Sequence, residues 1–202
     1  MEPSSLYPVA LNLHGKTCIV VGGGSVGRRK ADALREAGAE VTVLSLETTG
    51  PFEETQLEGA FLVVAATDDP AVNDAVAQAA HQRGVLLNLA APGEETDEGD
   101  FATMASVRRG SLLLAVTTGG AGPALSARLK RELHTQFGPE WALLTALLAE
   151  ARAEAKKRIA DPAERTERLR ALANSETLLE KLRTGDFEGA MQETGEHLSI
   201  TP

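Results

Sequence analysis

Glycines near the start of the chain have the spacing of a dinucleotide-binding turn. Residues 22–27 read Gly-Gly-Gly-Ser-Val-Gly and contain the pattern Gly-x-Gly-x-x-Gly. In such a turn the first glycine permits a tight bend, the second lets the backbone approach a diphosphate, and the third lets helix and strand pack closely. N–H groups at the start of the following helix would bind the anion. The pattern predicts five cofactor-binding residues: Gly22, Gly24, Ser25, Val26 and Gly27.

The end of the next predicted strand should face the ribose of the adenosine. NAD sites usually have an Asp or Glu there, about 20 residues after the glycines, to bind the ribose hydroxyls. Here the stretch reads Val-Leu-Ser-Leu, which places Ser45 at the ribose with Leu46 beside it, and Glu47 lies just beyond. Since no Arg follows this strand to receive a 2′-phosphate, we expect NAD rather than NADP.

The elements that hold this turn follow from hydrophobic periodicity. Residues 16–21 are a short β-branched run and predict a buried strand. Helical spacing follows over 26–37, and Gly38 stands where a left-handed residue ends a helix. A second strand is predicted over 40–46. Strand, glycine turn, helix and strand form a βαβ unit, the context in which the glycine pattern indicates a nucleotide.

Two further strands continue the alternation. Apolar runs over 60–66 and 85–90 flank an Ala-rich helix predicted over 70–83, which ends at Gly84, and a polar loop over 48–59 comes before them. Alternating strands and helices with short connections predict an α/β fold with a parallel, Rossmann-type sheet.

Polar residues directly after the third strand are further candidates for the site. Ligands of open α/β sheets bind at the carboxyl edge of the strands, where Thr67 and Asp68 would lie. Asp68 and its neighbour Asp69 have two interpretations, contact with a ribose or capping of the helix that begins at Pro70.

The chain changes character after residue 100. Residues 101–118 predict a strand, a turn at Arg108-Arg109-Gly110 and a second strand. The rest is mostly helical, with helices predicted over 124–136, 140–160, 163–174, 175–183 and 187–197. The helix after Asp161 has a carboxylate N-cap followed by Pro162.

Local charge indicates an anionic ligand. The formal net charge of -9 argues against nucleic acid as a partner. Residues 101–131 nevertheless contain no acid and five bases: Arg108, Arg109, Arg128, Lys130 and Arg131. Arg side chains bind carboxylates through paired donors, so Arg108 and Arg109 are candidates for substrate binding. The alternative is a helix C-terminal cluster with a solvated turn.

Composition also bounds the compartment. The one cysteine, Cys18, lies in the first predicted strand, so we expect a buried thiol and no internal disulfide, which fits a cytoplasmic protein. No signal peptide and no apolar run long enough for a membrane span are expected. None of the four histidines pairs with another histidine, the cysteine or an acid at metal-ligand spacing, so no fixed metal site is expected.

Four motifs in order resemble the precorrin-2 dehydrogenase family, which includes the N-terminal module of bifunctional siroheme synthases. Residues 62–73 are similar to its Ala-Ala-Thr-Asp-Asp-x-x-x-Asn segment, and residues 117–125 to its Gly-Gly-x-Ser-Pro-x-Leu signature. The opening, residues 8–30, and Arg109-Gly110 complete the resemblance, which covers roughly residues 8–150.

The resemblance implies NAD-dependent oxidation of precorrin-2 to sirohydrochlorin in siroheme biosynthesis, with ferrochelatase activity left open. It also implies a cytoplasmic homodimer without nucleic-acid or membrane partners. Three parts follow: an NAD-binding domain over 1–100, a dimerisation segment over 101–150 and a helical domain over 151–202. The tetrapyrrole carries several carboxylates, for which a second anion-binding turn is a candidate. The substrate-binding residues would be Arg108, Arg109, Thr118, Gly119 and Gly120.

The sequence departs from the family at two places in this region. The family usually has a further helix and strand after the second strand, whereas Leu46 runs almost at once into Gly50, so we expect a sheet shortened by one strand. The Ser before Pro in the last motif is Gly122 here.

A third departure concerns catalysis. Ala91 stands where the family's Asn-Val-x-Asp motif has its proposed acid/base Asp. Glu94 and Asp97, in the acidic stretch that follows, are the candidates for a substitute carboxylate, with Asp100 as a further one. The alternative function is a catalytically impaired nucleotide-binding or sensing protein of the same fold.

Overall fold

The structure is a computed structural model that describes residues 6–90 and 98–198 of the 202-residue chain. Its described residues divide into two compact units. The sheet unit comprises the described residues up to Met104 together with Thr117–Pro123, and the helical unit comprises Ala105–Val116 and the described residues from Ala124 onward.

The sheet unit is the predicted α/β fold. Five strands lie in the order β2-β1-β3-β4-β5, of which the first four are parallel and β5 is antiparallel to β4. The strands are β1 Thr17–Val21, β2 Glu40–Leu44, β3 Leu62–Ala65, β4 Leu86–Leu89 and β5 Glu98–Gly99. The helices are α1 Ser25–Glu36, α2 Leu46–Thr49 and α3 Pro70–Arg83, with a 3-10 helix at Glu54–Leu57. The Rossmann-type fold class is confirmed.

Both faces of the central strands are buried. Val20 and Val64 pack in one cluster with Ala31 of α1, whereas Ile19 and Val63 pack in another with the residues of α3. Strands covered on both faces read as continuous apolar runs, which is why β1 and β3 contain almost nothing else. Cys18 is fully buried in β1, as expected.

The prediction for the second strand was wrong at its end. β2 stops at Leu44, two residues early, because the Ser45 backbone turns into α2. The Thr49 hydroxyl accepts a hydrogen bond from the Ser45 N–H at 3.1 Å and donates one to the Ser45 carbonyl at 2.9 Å. Such local side-chain bonds compete with the sheet ladder. The predicted loop over 48–59 therefore contains the last residues of α2 and the 3-10 helix.

The helical unit begins with a hairpin. β6 Ala105–Arg109 pairs with β7 Leu112–Val116, and Arg109 lies opposite Leu112. The prediction of a turn at Arg108-Arg109-Gly110 was therefore wrong, since both arginines belong to β6 and the loop is Gly110-Ser111. Gly110 adopts a φ of 56°, which suits a tight two-residue loop.

Five helices complete the helical unit. They are α4 Pro123–Gln136, α5 Glu140–Arg158, α6 Pro162–Ala173, α7 Glu176–Thr184 and α8 Phe187–Leu198. Their core consists of buried residues from α5 to α8, such as Leu147, Leu172, Leu178 and Ala190. Asp161 caps α6 as predicted. The three-part division of the chain stays a prediction, and its boundary at residue 150 falls inside α5.

Candidate functional site

The glycine turn is held by close contacts with neighbouring strands. Gly22 has a φ of 127° and donates its N–H to the Leu44 carbonyl at 2.8 Å. A Cβ at Gly22 would collide with the Ala66 carbonyl, and one at Gly27 would collide with the Gly22 carbonyl. Both positions therefore need glycine for the fold itself, as the first and third glycines of the motif require.

Gly24 is different, because packing does not require its lack of a side chain. A Cβ built there would meet no atom of the described residues within 4 Å. Gly24 is the N-cap residue of α1 and offers no side chain to its first N–H groups, and the first turn, Ser-Val-Gly-Arg, contains no acid. Open space beside an uncapped helix start fits the diphosphate of a dinucleotide.

A cavity of about 850 Å³ lies over this turn in the sheet unit. It extends from the glycine turn to the residues that follow β2 and β3. The structure thereby brings together eight of the nine sequence-predicted cofactor residues: Gly22, Gly24, Ser25, Val26, Ser45, Leu46, Thr67 and Asp68. Gly27, the ninth, packs beneath the turn instead.

Sequence reasoning missed Arg28, which lines the same cavity. Its Nε donates to the Gly23 carbonyl at 2.9 Å, so the guanidinium lies at the glycine turn with donors remaining for an anion. The available signal was the Arg-Arg-Lys run directly after Gly27, which puts a base in the first turn of α1.

The β2 end of the cavity combines hydroxyl, carboxylate and apolar groups. Ser45 Oγ and Thr48 Oγ1 lie 2.8 Å apart and share a hydrogen bond. Leu46 is 75% exposed and Glu47 is exposed, and both line the cavity. Pro51 and Phe52 lie on the cavity wall as well.

The β3 end is fixed by a network of local hydrogen bonds. Asn73 Oδ1 accepts from the Thr67 N–H at 3.2 Å and from the Thr67 hydroxyl at 2.8 Å, and Asn73 Nδ2 donates to the Thr67 carbonyl at 3.0 Å. Asp69 accepts from the Ala71 N–H at 2.9 Å and so caps α3. Asp68 is exposed and lines the cavity. Of the two aspartates, Asp69 caps the helix and Asp68 remains the candidate ligand.

The candidate acid/base region is described only in part. Ala91, Glu94 and Asp97 lie outside the described residues. Asp100 is described, and its Oδ2 accepts from the Leu87 N–H at 2.9 Å, which ties the end of β5 to β4. Asp100 thus has a structural partner.

Two buried polar residues form hydrogen bonds to the segment after β5. The sequence did not predict that they are buried. Lys30 of α1 is 8% exposed, and its Nζ donates to Thr103 Oγ1 at 2.6 Å. Asn88 of β4 is fully buried and donates to the Phe101 carbonyl at 2.8 Å. Buried polar groups of this kind fix a chain segment because breaking their bonds leaves unsatisfied donors.

The two predicted substrate arginines have different surroundings in the helical unit. Arg108 is exposed. Arg109 is half-buried, and its guanidinium donates to the Phe137 carbonyl at 2.8 Å and to the His134 carbonyl at 3.1 Å. Arg109 therefore caps the C-terminal end of α4, an arrangement that neither the substrate-binding interpretation nor the solvated-turn alternative predicts. Of the two, Arg108 remains the candidate for substrate binding.

The predicted second anion-binding turn uses part of its N–H groups internally. Thr117 Oγ1 accepts from the Gly119 N–H at 3.1 Å, and Thr118 Oγ1 accepts from the Gly122 N–H at 3.1 Å. Gly119 and Gly120 both have a positive φ. Since these bonds already satisfy Gly119 and Gly122, the roles of Thr118, Gly119 and Gly120 in substrate binding stay predictions.

The described residues also bear on metal binding and membrane insertion. No group of three or more His, Cys, Asp or Glu side chains there could hold a metal ion. Among the same residues, no helix is both long and apolar enough to cross a membrane.

Comparison with known proteins connects this geometry to a family. Residues 9–105 match the family model described as "Putative NAD(P)-binding", and residues 109–136 match the one described as "Sirohaem biosynthesis protein central". The prediction of a nicotinamide dinucleotide as cofactor is confirmed at this level.

Similarity to curated proteins extends over most of the chain. The siroheme synthase of Salmonella typhi is 31% identical over 211 residues, covering 96% of this chain and 45% of that protein. The siroheme synthase of Methylococcus capsulatus is 36% identical over 171 residues, covering 77% of this chain and 35% of that protein. The chain thus spans less than half the length of these relatives.

A solved structure shares the fold. "SirC, precorrin-2 dehydrogenase" superposes with a TM-score of 0.72 at 24% sequence identity, covering 97% of this chain and all of that one. The two family models match consecutive segments of the chain, and the curated relatives match most of it, so the family of the chain is established. The chain belongs to the siroheme synthase family, of whose members named above it matches less than half the length.

Proposed function

We propose that the chain binds NAD and catalyses the oxidation of precorrin-2 to sirohydrochlorin in siroheme biosynthesis. The observation that carries the proposal is the cavity over the glycine turn, where Gly24 leaves open space beside an uncapped helix start. The cavity lies within the segment that matches the NAD(P)-binding model, and the sirohaem-specific segment follows directly.

Each end of the cavity has a role in holding the cofactor. The N–H groups of Ser25 and Val26, with Arg28, would bind the diphosphate. Ser45 would contact the adenosine ribose, Leu46 would offer apolar surface to the adenine, and Asp68 would bind hydroxyls at the β3 end. When bound, NAD supplies the acceptor for the hydride of the substrate.

The substrate is an anion, and this chain's bases would orient it. Arg108 is exposed and would pair with a substrate carboxylate. Glu94 and Asp97 are the proposed proton acceptors, since a carboxylate near the reacting carbon can take the proton that oxidation releases.

Anaerobic incubation with precorrin-2 and NAD tests the activity. We expect sirohydrochlorin absorbance and NADH absorbance to rise together, and Glu94→Gln with Asp97→Asn to slow the rise. A matched change at Glu58, exposed in the sheet unit outside the cavity lining, should leave the rate unaltered. Adding ferrous iron to the product tests ferrochelatase activity in the same sample.

A second candidate function rests on Ala91. If the protein binds NAD but forms no product, loss of the family's Asp has removed catalysis, and the function is nucleotide binding or sensing. This outcome would contradict the proposed oxidation while keeping the proposed cofactor.

We also propose a homodimer in the cytoplasm. Within the described part of the chain no residue of α4 is buried, although the helix contains Leu125, which is 47% exposed. An amphipathic helix of 14 residues without a buried side chain gains stability when a partner covers it.

The proposed cytoplasmic location rests on the single cysteine. Cys18 is buried in β1 as a free thiol, which suits a reducing compartment.

A further inference from the structure

The cavity has a carboxylate where the adenosine ribose of a dinucleotide is usually recognised, but not at the usual residue. Rossmann-type sites place an acid at the end of the second strand, where it binds the ribose 2′-hydroxyl and disfavours a 2′-phosphate. Here β2 ends at Leu44 and Ser45 follows, so the strand end itself has no acid. The acid comes two residues later, as Glu47 in α2.

Local hydrogen bonds fix where Glu47 lies. The bonds between Ser45 and Thr49 turn the chain directly after β2, and Ser45 Oγ bonds to Thr48 Oγ1. A Cβ at Gly23 would lie 3.1 Å from the Ser45 Cβ, so this turn packs against the glycine turn that would hold the diphosphate. Glu47 lines the cavity, and its side chain is exposed.

Among the described lining residues between β2 and β3, Glu47 carries the only charge. Ser45 and Thr48 hydroxyls can donate to a hydroxyl or to a phosphate, so they do not discriminate. Arg28, the one base among the described lining residues, is bonded to the Gly23 carbonyl at the glycine turn. A 2′-phosphate would therefore meet a carboxylate rather than a base at the β2 end.

We propose that Glu47 selects NAD over NADP, taking over from α2 the role that an acid at the strand end has in other sites. The inference rests on the proposed function of the cavity. Its carboxylate would accept a hydrogen bond from the ribose 2′-hydroxyl and repel the 2′-phosphate.

Calorimetric titration of the whole chain with NAD and with NADP, without tetrapyrrole, tests this. The wild-type protein should bind NAD more tightly, and Glu47→Gln should reduce the ratio of the two dissociation constants about tenfold. Glu47→Arg should reverse the preference. Glu58→Gln, the same charge change at an exposed position outside the cavity lining, should leave the ratio as it is.

Arg28→Ala separates the diphosphate from the 2′-phosphate. If Arg28 binds the diphosphate, the variant loses affinity for both cofactors alike, whereas a selective loss of NADP binding would overturn the assignment to Glu47. An unchanged ratio in Glu47→Gln, in a sample that binds NAD and melts like the wild type, would overturn it too. Absence of binding by either nucleotide in the wild-type protein would overturn the proposed function itself.

Discussion

The glycines of the glycine turn have different roles, although the motif specifies the same residue at each position. Gly27 and Gly22 are required by neighbouring backbone, since a Cβ at either would collide with a carbonyl group. A Cβ at Gly24 would meet no described atom within 4 Å, and the backbone there has a φ of -70° that any residue can adopt. Fold and ligand binding can therefore be separated by substitution.

Gly24→Ala should weaken NAD binding at least about tenfold, because the new methyl group would occupy the space of the diphosphate. Its cost in unfolding free energy should stay below about 1 kcal/mol. Gly27→Ala should instead lose about 1–3 kcal/mol, because the helix must move away from the turn. Urea unfolding and NAD titration of both variants measure this. Equal effects of the two changes on unfolding would contradict the separation.

The two neighbouring arginines of β6 also differ. Arg108→Ala should raise the Michaelis constant for the tetrapyrrole about tenfold and leave NAD affinity and unfolding unchanged. Arg109→Ala should lower the unfolding free energy by about 1–3 kcal/mol, because the Phe137 and His134 carbonyls lose their donor. Arg152→Ala, exposed on α5, is the control for lost charge. A normal Michaelis constant in Arg108→Ala would exclude that residue from the substrate site.

For individual residues, the sequence predicts the site residues that a motif specifies. It misses those whose positions are set by hydrogen bonds of their side chains. The glycine pattern was enough for Gly24, Ser25 and Val26, because it fixes both turn and helix start. Arg28 was missed, since nothing in the pattern says that its side chain folds back to the Gly23 carbonyl. Arg109 was placed in a turn, since its carbonyl partners come from residues 25 and 28 positions away.

Among the elements, buried strands are the best predicted and their ends the worst. β1, β3 and β4 lie within their predicted ranges because apolar runs identify strands covered on both faces. α3 matches its predicted bounds, since Asp69 caps its start and Gly84 ends it in a left-handed conformation. β5, Glu98–Gly99, lies in the acidic stretch and was not predicted as a strand, because a two-residue edge strand has no hydrophobic pattern of its own.

One buried carboxylate links α8 to α7 beside their shared apolar core. Glu193 of α8 is 9% exposed and accepts hydrogen bonds from the Ser175 hydroxyl, from Thr177 Oγ1 at 2.7 Å and from Lys181 Nζ at 2.8 Å. Burial alone would raise its pKa, but the hydrogen bonds from Lys181, Ser175 and Thr177 outweigh burial and lower the pKa of Glu193 to about 2. The ionised form is therefore strongly favoured in the folded protein.

Replacing Glu193 should remove a pH-dependent part of the stability. Its pKa is depressed below the ordinary value of 4.5, so its contribution is full well above that value and is lost as the pH falls through 4.5 toward about 2. Glu193→Gln should lose about 2 kcal/mol at pH 7, and its deficit should shrink in acid. Urea unfolding between about pH 7 and about pH 3 measures this, with Glu188→Gln on the same helix as control. A constant deficit across that range would show that shape rather than charge explains the loss.

At the scale of the whole molecule, the exposed parts of the helical unit indicate where a partner could bind. The core of this unit comes from α5 to α8, whereas α4 has no buried residue in the described chain. β6 and β7 form a sheet of two strands, and Leu113 of β7 is 42% exposed. Val107 of β6 is buried, so one face of the hairpin is already covered, whereas the face with Leu113 would gain stability from a further surface that covers it.

If a second copy of the chain covers this surface, a charge placed there should separate the protomers. Leu125→Glu and Leu113→Glu should each raise the dimer dissociation constant at least about a hundredfold, because the carboxylate would be buried without a partner. Met191→Glu is the control and should leave the dimer intact. Met191 lies on α8, outside α4 and the hairpin, and its apolar side chain is 58% exposed.

Sedimentation velocity across a range of protein concentrations measures the dimerisation of all three variants, and circular dichroism shows whether each variant is folded. A wild-type protein that sediments as a monomer throughout, or a dimer lost equally in Met191→Glu, would contradict this assignment, because the exposure of α4 would then not reflect a partner.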